Sequence, residues 1–211
     1  MLQTSAILYK KLQRQYSRRI NLDLKRIKKV LEKLNNPEEQ INNVINIIGS
    51  DGKNATLTSL KYFLEANNQR VNAFTSPHLY DVRHRFWLGN RFISLKEIKK
   101  YKKIIEQAKQ KLTLFEFLTC VYILAATKTD PDSYNLVESG LLFKKDSTNL
   151  WSNPLAQVVT NINYQHQEWV RPKTITKICL NQIIFIFNSK FNTFFSLPEK
   201  KEIFLLSKSY N

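Results

Sequence analysis

The residues with the plainest chemistry lie in one short stretch, Gly49-Ser50-Asp51-Gly52-Lys53-Asn54-Ala55-Thr56. The chain has 211 residues and 4 glycines, where average usage would place about fifteen. Two of the four fall in this window. Scarce glycine kept in one place marks backbone that needs left-handed dihedrals or close approach to another group. Lys53, directly after the second glycine, completes the logic of a phosphate loop. Backbone N–H groups approach phosphate oxygens, a helix N-terminus favours negative charge, and a lysine reaches a terminal phosphate. The general pattern G-x-x-x-x-G-K-[ST] is not met, because its first glycine falls on Ile47 and its hydroxyl on Asn54. From these residues alone, a degraded phosphate loop and a plain strand-to-helix turn stand level.

The elements around this stretch suit it. Val44-Ile45-Asn46-Ile47-Ile48 reads as a buried strand, residues 57–67 as a helix and residues 70–74 as a second strand. Strand, loop, helix, strand is the βαβ unit of a parallel sheet. Upstream, Leu22, Leu24, Ile27, Val30, Leu31 and Leu34 recur at helical spacing up to Asn35-Asn36-Pro37. Downstream, residues 75–78 form a loop, and residues 85–88 and 91–93 flank Gly89-Asn90 as a hairpin. Ser94 caps a lysine-rich helix to about Lys111, and Thr113 with Glu116 forms a capping box for an apolar helix to about Ala126. Residues 134–137, a segment within 155–162 and residues 183–187 read as strands, with a helix from Pro172 to Gln182 between the last two. Residues 1–187 read as one domain and 188–211 as a weakly patterned tail.

Composition excludes several classes. Apolar residues make up 43% and aromatics 12% of the chain, enough for a packed core and against disorder. No run of about 18 apolar residues marks a transmembrane helix, and no secretory signal is evident, so a cytoplasmic, membrane-free protein is expected. Cys120 and Cys179 read as buried free thiols in a reducing compartment. The net charge is +16, with Lys and Arg in residues 10–33, 96–111 and the C-terminal third. That charge could face an anion, but it reads as diffuse and accompanies no nucleic-acid-binding signature, so nucleic acid is not an expected partner.

Several separated motifs then resemble the folylpolyglutamate synthase/dihydrofolate synthase family of Mur-type ATP-dependent ligases. Residues 49–55 align without a gap with its GTNGKGS loop, and residues 21–37 resemble its opening helix ending in N-P. Thr75-Ser76-Pro77-His78-Leu79 matches TSPHL, residues 85–94 resemble a hairpin ending in I-S, and Leu114-Phe115-Glu116-Phe117-Leu118-Thr119 matches FEFLT. Residues 136–149 sit in register with LEVGLGGRLDATN, keeping Glu138, Gly140-Leu141, Asp146 and Thr148-Asn149. Val159-Thr160-Asn161-Ile162 and His166 match ITNI…DH. The resemblance covers roughly residues 18–182.

The resemblance implies an α/β fold, a P-loop-containing Mur-ligase-type central domain with a mostly parallel sheet flanked by helices, the C-terminal ligase domain being absent. It implies ATP-dependent addition of L-glutamate to a folate or dihydropteroate carboxylate through an acyl phosphate, with ATP and Mg²⁺ as cofactors. It assigns Gly49, Ser50, Asp51, Gly52, Lys53 and Thr56 to the nucleotide, with Lys53 and His166 catalytic. Ser76, Glu138 and His166 become metal ligands, hard donors as Mg²⁺ prefers, and Asp146 a substrate-binding residue. Without the resemblance, Ser76 before a proline reads as a loop cap, His166 as a hydrogen-bonded structural histidine, and His78 and His84 as loop or surface residues.

The departures matter as much. Lys53-Asn54-Ala55 lacks the second glycine and the hydroxyl of GKGS; Thr56 comes next, but one residue along a helix turns a side chain by about 100°. Leu142 and Phe143 replace two glycines, Gln165 replaces an acid, and Gln182 replaces the lysine that the family carbamoylates. These changes, together with a length about half that of the family's enzymes, leave two readings: a truncated, impaired ligase for which a separately encoded C-terminal piece is a candidate partner, or a catalytically inactive remnant. A basic nucleic-acid-associated module is the alternative from another class.

Overall fold

The computed structural model describes residues 2–164, 167–170, 173, 192–197 and 200–206. Strand β1 (Val44–Ile48) is buried at all five positions, as a strand covered on both faces must be. Around it lie β2 (Val71–Phe74), β3 (Phe86–Gly89), β4 (Arg91–Phe92), β5 (Tyr134–Glu138), β6 (Ala156–Val159), β7 (Asn192–Leu197) and β8 (Lys200–Leu206). The described strands form one sheet in the order β4-β3-β2-β5-β1-β6-β7-β8. Strands β2, β5, β1, β6 and β7 run parallel; the β3–β4 hairpin and β8 are antiparallel additions at the two edges. The expected βαβ unit is present with one refinement. Strand β5 lies between β1 and β2 and pairs with both.

The two faces of the sheet are covered differently. Ile45, Ile47, Val71, Ala73 and Leu136 pack against Leu57, Leu60 and Leu64 of helix α3 (Lys53–Ala66). The opposite face, with Val44, Phe74 and Val137, meets α5 (Leu114–Ala126), which is apolar almost all round. An apolar helix needs a second cover. It receives one from α1 (Leu2–Gln15), α2 (Lys25–Lys33) and α4 (Leu95–Gln107), whose buried stripes join the same core. Both capping boxes form: Ser94 Oγ accepts from Glu97 N, and Thr113 Oγ1 accepts from Glu116 N.

Three differences from the sequence reading have physical reasons. Helix α3 starts at Lys53, not near Leu57, because Gly52 takes the left-handed turn alone (φ 79°) and residues 53–56 are free to wind. Helix α4 stops at Gln107, not Lys111, where Ala108 is its C-cap and Lys109 is left-handed. Helix α1 is absent from the sequence reading, because its buried stripe is only Ser5, Leu8, Leu12 and Tyr16 among polar residues. It is held from outside: Ser5 Oγ donates to Asp81 Oδ1 (2.5 Å), which also accepts from Arg83 N. Strands β7 and β8 extend the sheet where the sequence is weakly patterned. The expected helix 172–182 and strand 183–187, with Cys179, lie outside the described residues.

Candidate active site

The carboxyl ends of β1, β2, β5 and β6 meet at one edge of the sheet, the usual place for ligand binding in parallel α/β folds. Strand β1 ends in Gly49, at φ 136°. The loop that follows is tied to the segment after β6. Ser50 N donates to Asn161 O (2.7 Å), Thr160 Oγ1 to Asp51 O (2.6 Å), and Asn163 N to Ser50 Oγ (3.0 Å). A Cβ at Gly49 would lie 2.2 Å from Thr160 Oγ1, whereas one at Gly52 would meet nothing within 4 Å. Gly49 therefore answers to packing against β6, and Gly52 to backbone sign at the open mouth of the loop.

Lys53 opens α3 and folds back over the loop, donating to Gly49 O (2.8 Å) and Ser50 O (2.9 Å). Burial lowers its pKa, and the nearby charges of Glu138, Asp51 and Asp146 oppose that shift. Glu138 ends β5 and is buried. Its Oε2 accepts from Ser76 N (3.0 Å), the Asn54 side chain stands beside its carboxylate, and Lys53 and Arg85 supply nearby positive charge. Burial still pushes its pKa up. Lysine, carboxylate, serine and glycine-bearing loop, widely separated along the chain, thus share one locale. Thr56 sits one turn into α3, its N–H bonded to Gly52 O (2.9 Å).

Residues 140–149 wall the next part of the site. The Asp146 carboxylate accepts from Leu141 N (2.9 Å), Thr148 N (2.9 Å), Thr148 Oγ1 (2.6 Å) and the Gly140 backbone. It is buried and organises its own loop. A Cβ at Gly140 would lie 2.7 Å from Phe115 Cε1 and 2.9 Å from Asp146 Oδ2, so this glycine permits the close stacking of loop on α5. Leu142, in a glycine position of the family pattern, is held left-handed (φ 43°) and buried with Leu141 and Val170.

Between this loop, residues 17–23, α1 and the start of α5 opens a cavity of about 440 Å³. Tyr9, Ser76, Arg85, Phe115, Leu141 and Asp146 are among its walls. It suits a ligand with a flat, largely apolar body and a few polar groups.

Sequence reading missed Arg85; His78, expected in a loop or at the surface, does lie in a loop. Arg85 is buried, lines the cavity and donates through Nε to His78 Nδ1 (2.8 Å). His78 is half-buried in that loop: its ring meets Tyr9 edge-on (4.4 Å between centroids), and burial, with Arg85 beside it, pushes its pKa down to about 4. Only the apolar run Phe86-Trp87-Leu88 directly after Arg85 and the unexpected α1 could have signalled this.

A pH prediction arises here. His78 must stay neutral to accept from Arg85, whereas the unfolded imidazole titrates near 6.5. The unfolded chain therefore takes up the proton first. Stability contributed by this group is present above pH 6.5, is lost as pH falls from 6.5 towards 4, and levels below that. Urea unfolding at pH 7 and pH 5 should show the loss in the wild type and a smaller loss in His78→Gln. An equal loss in both would place it on other groups.

For Mg²⁺, the described donors are the Glu138 carboxylate and the Ser76 hydroxyl; His166 lies outside the described residues. Among the described residues no group of three or more His, Cys, Asp or Glu could hold a metal. One carboxylate and a hydroxyl still suit Mg²⁺, which keeps several waters and takes phosphate oxygens.

No protein-family model matches the chain. It is 31% identical over 160 residues to the dihydrofolate synthetase of Saccharomyces cerevisiae, covering 72% of this chain and 36% of that protein. It is 33% identical over 136 residues to a folylpolyglutamate synthase of Arabidopsis thaliana, covering 60% and 23%. In structure it is similar to E. coli FolC in complex with DHPP and ADP, with a TM-score of 0.80, 26% identity, and 92% of this chain and 46% of that chain covered. The bifunctional folylpolyglutamate synthase/dihydrofolate synthase of Yersinia pestis, complexed with AMPPNP and Mn ion, gives a TM-score of 0.79 at 25% identity, covering 92% and 47%. The chain thus spans 36% or less of these two curated relatives.

Proposed function

Because this chain is homologous, over part of their length, to the folylpolyglutamate/dihydrofolate synthases, we propose that it is the nucleotide- and folate-binding portion of an ATP-dependent glutamate ligase, with impaired turnover. One observation carries the reading. The 49–53 loop, Ser76 and Glu138 converge at the carboxyl edge of the sheet, beside a cavity walled by Phe115 and Asp146.

The chemistry asks for this arrangement. A carboxylate is a poor electrophile until one oxygen is converted to a phosphate leaving group. ATP supplies that phosphoryl, and the amino group of glutamate then displaces phosphate to form the amide. Loop N–H groups and Lys53 would hold the terminal phosphates, and Ser76 and Glu138 would hold Mg²⁺, whose chemistry there would be to offset negative charge on phosphate oxygens. Phe115 and the loop organised by Asp146 hold the pteroate body. Arg85, which lines the same cavity, is assigned to the acidic end of the substrate. A fully buried Cys120 thiol with a raised pKa fits a reducing cytoplasmic compartment.

Impairment rests on Asn54. Where the family pattern has glycine, this side chain stands beside Glu138 and helps to hold its pKa down, next to the carboxylate that the metal would need. Ala55 offers no hydroxyl. The reading gives turnover only to an assembly that includes the remaining ligase portion, as further chain or as a separate piece. It makes Asn54→Gly/Ala55→Ser bind Mg²⁺·ATP more tightly than wild type. The folate half is tested by titrating dihydropteroate and tetrahydrofolate against the protein with Mg²⁺·ATP. Saturable binding, weakened at least about tenfold in Phe115→Ala, is expected. Absence of saturable binding to folded protein sinks the folate reading.

A further inference from the structure

The positive charge is far less evenly placed on the folded protein than along the chain. Residues 2–34 and 94–112 hold 17 of the 33 lysines and arginines but only 4 of the 17 acids. They therefore carry +13 of the net +16. These two segments are α1, α2, α4 and their flanks, which lie together over α5 on one side of the sheet.

The three helices turn the same kind of face outward. On α4, Ile98, Tyr101 and Ile105 point into the core, while Lys96, Lys99, Lys100 and Lys103 are exposed at spacings of one face. On α2, Ile27, Val30 and Leu31 are buried and Lys25, Lys28 and Lys29 exposed. On α1, Leu8 and Leu12 are buried and Lys10, Lys11 and Arg14 exposed. The helices meet at their C-terminal ends, around α5. Lys33 Nζ donates to Ala108 O (2.9 Å) at the end of α4, and Gln15 bonds to Glu106. Of the four acids, Glu97 is taken by Arg91 and Glu106 by Lys102. Asp23 accepts from the backbone of Lys25, which leaves Glu32 as the main exposed counter-charge within these two segments, with Glu38 and Glu39 just beyond the end of α2.

We propose that this three-helix face is a docking surface for the phosphate backbone of duplex nucleic acid. The exposed lysines on adjoining helices match a rod that carries one negative charge per about 1.7 Å of axis. An acidic membrane is the poorer match, since stable attachment adds apolar insertion to charge, and among the described side chains of these segments the large apolar ones exposed are Ile7 and Ile20. A single strand is also poorer. Its usual partners are aromatic platforms, but Tyr16 and Tyr101 are buried and Tyr9 is engaged by His78. Phosphates are the only groups these lysines read, so binding is independent of sequence. Tyr9 of α1 and Arg18 and Arg19 within residues 2–34 line the cavity, but none of the lysines named on α1, α2 and α4 does, and the proposal stands whether or not the chain serves a ligase.

The test is fluorescence anisotropy with a labelled duplex of about 20 base pairs. Saturable binding at about 50 mM salt should weaken by about 10³-fold at about 200 mM. Lys99→Glu/Lys103→Glu, on the exposed face of α4, should weaken binding at least about tenfold. Lys128→Glu/Lys144→Glu, the same change in net charge at exposed sites off these helices, should change it much less, with matching thermal melts for all three proteins. Equal weakening by both pairs would show a diffuse effect of net charge and overturn the proposal. So would binding of phosphatidylserine vesicles under conditions where the duplex does not bind.

Discussion

Gly49→Ala is expected to destabilise the protein by about 3 kcal/mol or more and to abolish nucleotide binding, whereas Gly52→Ala is expected to cost about 1 kcal/mol. Both glycines have positive φ, at 136° and 79°. They differ in what surrounds them. An added methyl at Gly49 would meet Thr160 Oγ1 at 2.2 Å and Asn161 O at 3.1 Å, atoms that hold the loop against the end of β6. To make room, the Thr160 bond to Asp51 O and the Ser50 bond to Asn161 O must open, and the loop loses its shape with them. At Gly52 only the left-handed backbone is penalised. Urea denaturation of the two variants measures this directly. Equal costs would mean that the loop is not braced by β6.

Arg26→Ala is expected to cost about 2–3 kcal/mol, although Arg26 lies outside the loop and catalytic constellation. Glu116 is buried at the start of α5 and accepts from Arg26 Nη2 (2.8 Å) and Nε (3.3 Å) as well as from Thr113 N (2.7 Å). Removing the guanidinium leaves a buried carboxylate with only its capping bond, at the junction that fixes α2 against α5. Adding Glu116→Gln should recover part of the loss, since glutamine keeps the capping geometry without the charge. A double variant at least as unstable as the sum of both singles would show that packing, not the stranded charge, dominates.

Much of this arrangement is legible in the sequence where two levels of pattern agree. Strand β1 is an apolar run ending in the scarce glycines, and helix α5 has a capping box at one end and unbroken apolar sequence after it; both appear as expected. Glu138 is legible as a buried acid because it closes an apolar strand, and the structure sets it against the loop residue Asn54 and the Ser76 backbone. What escapes is long-range. Helix α1 has a thin apolar stripe and is secured by Asp81, distant in sequence. His78 and Arg85 acquire their meaning only from each other and from Tyr9. The lysines look diffuse along the chain because spacing in sequence does not show that α1, α2 and α4 pack into one core with α5.

The central claim is that residues 49–53, beside Glu138 and Ser76, form a nucleotide site. Calorimetric titration of Mg²⁺·ATP into the wild-type chain and into Lys53→Ala tests it most directly. Saturable binding at one site is predicted for the wild type, weakened at least about 100-fold, or about 2.7 kcal/mol, in the variant. Equal affinity in the two proteins, or no binding by folded wild type, would contradict the account.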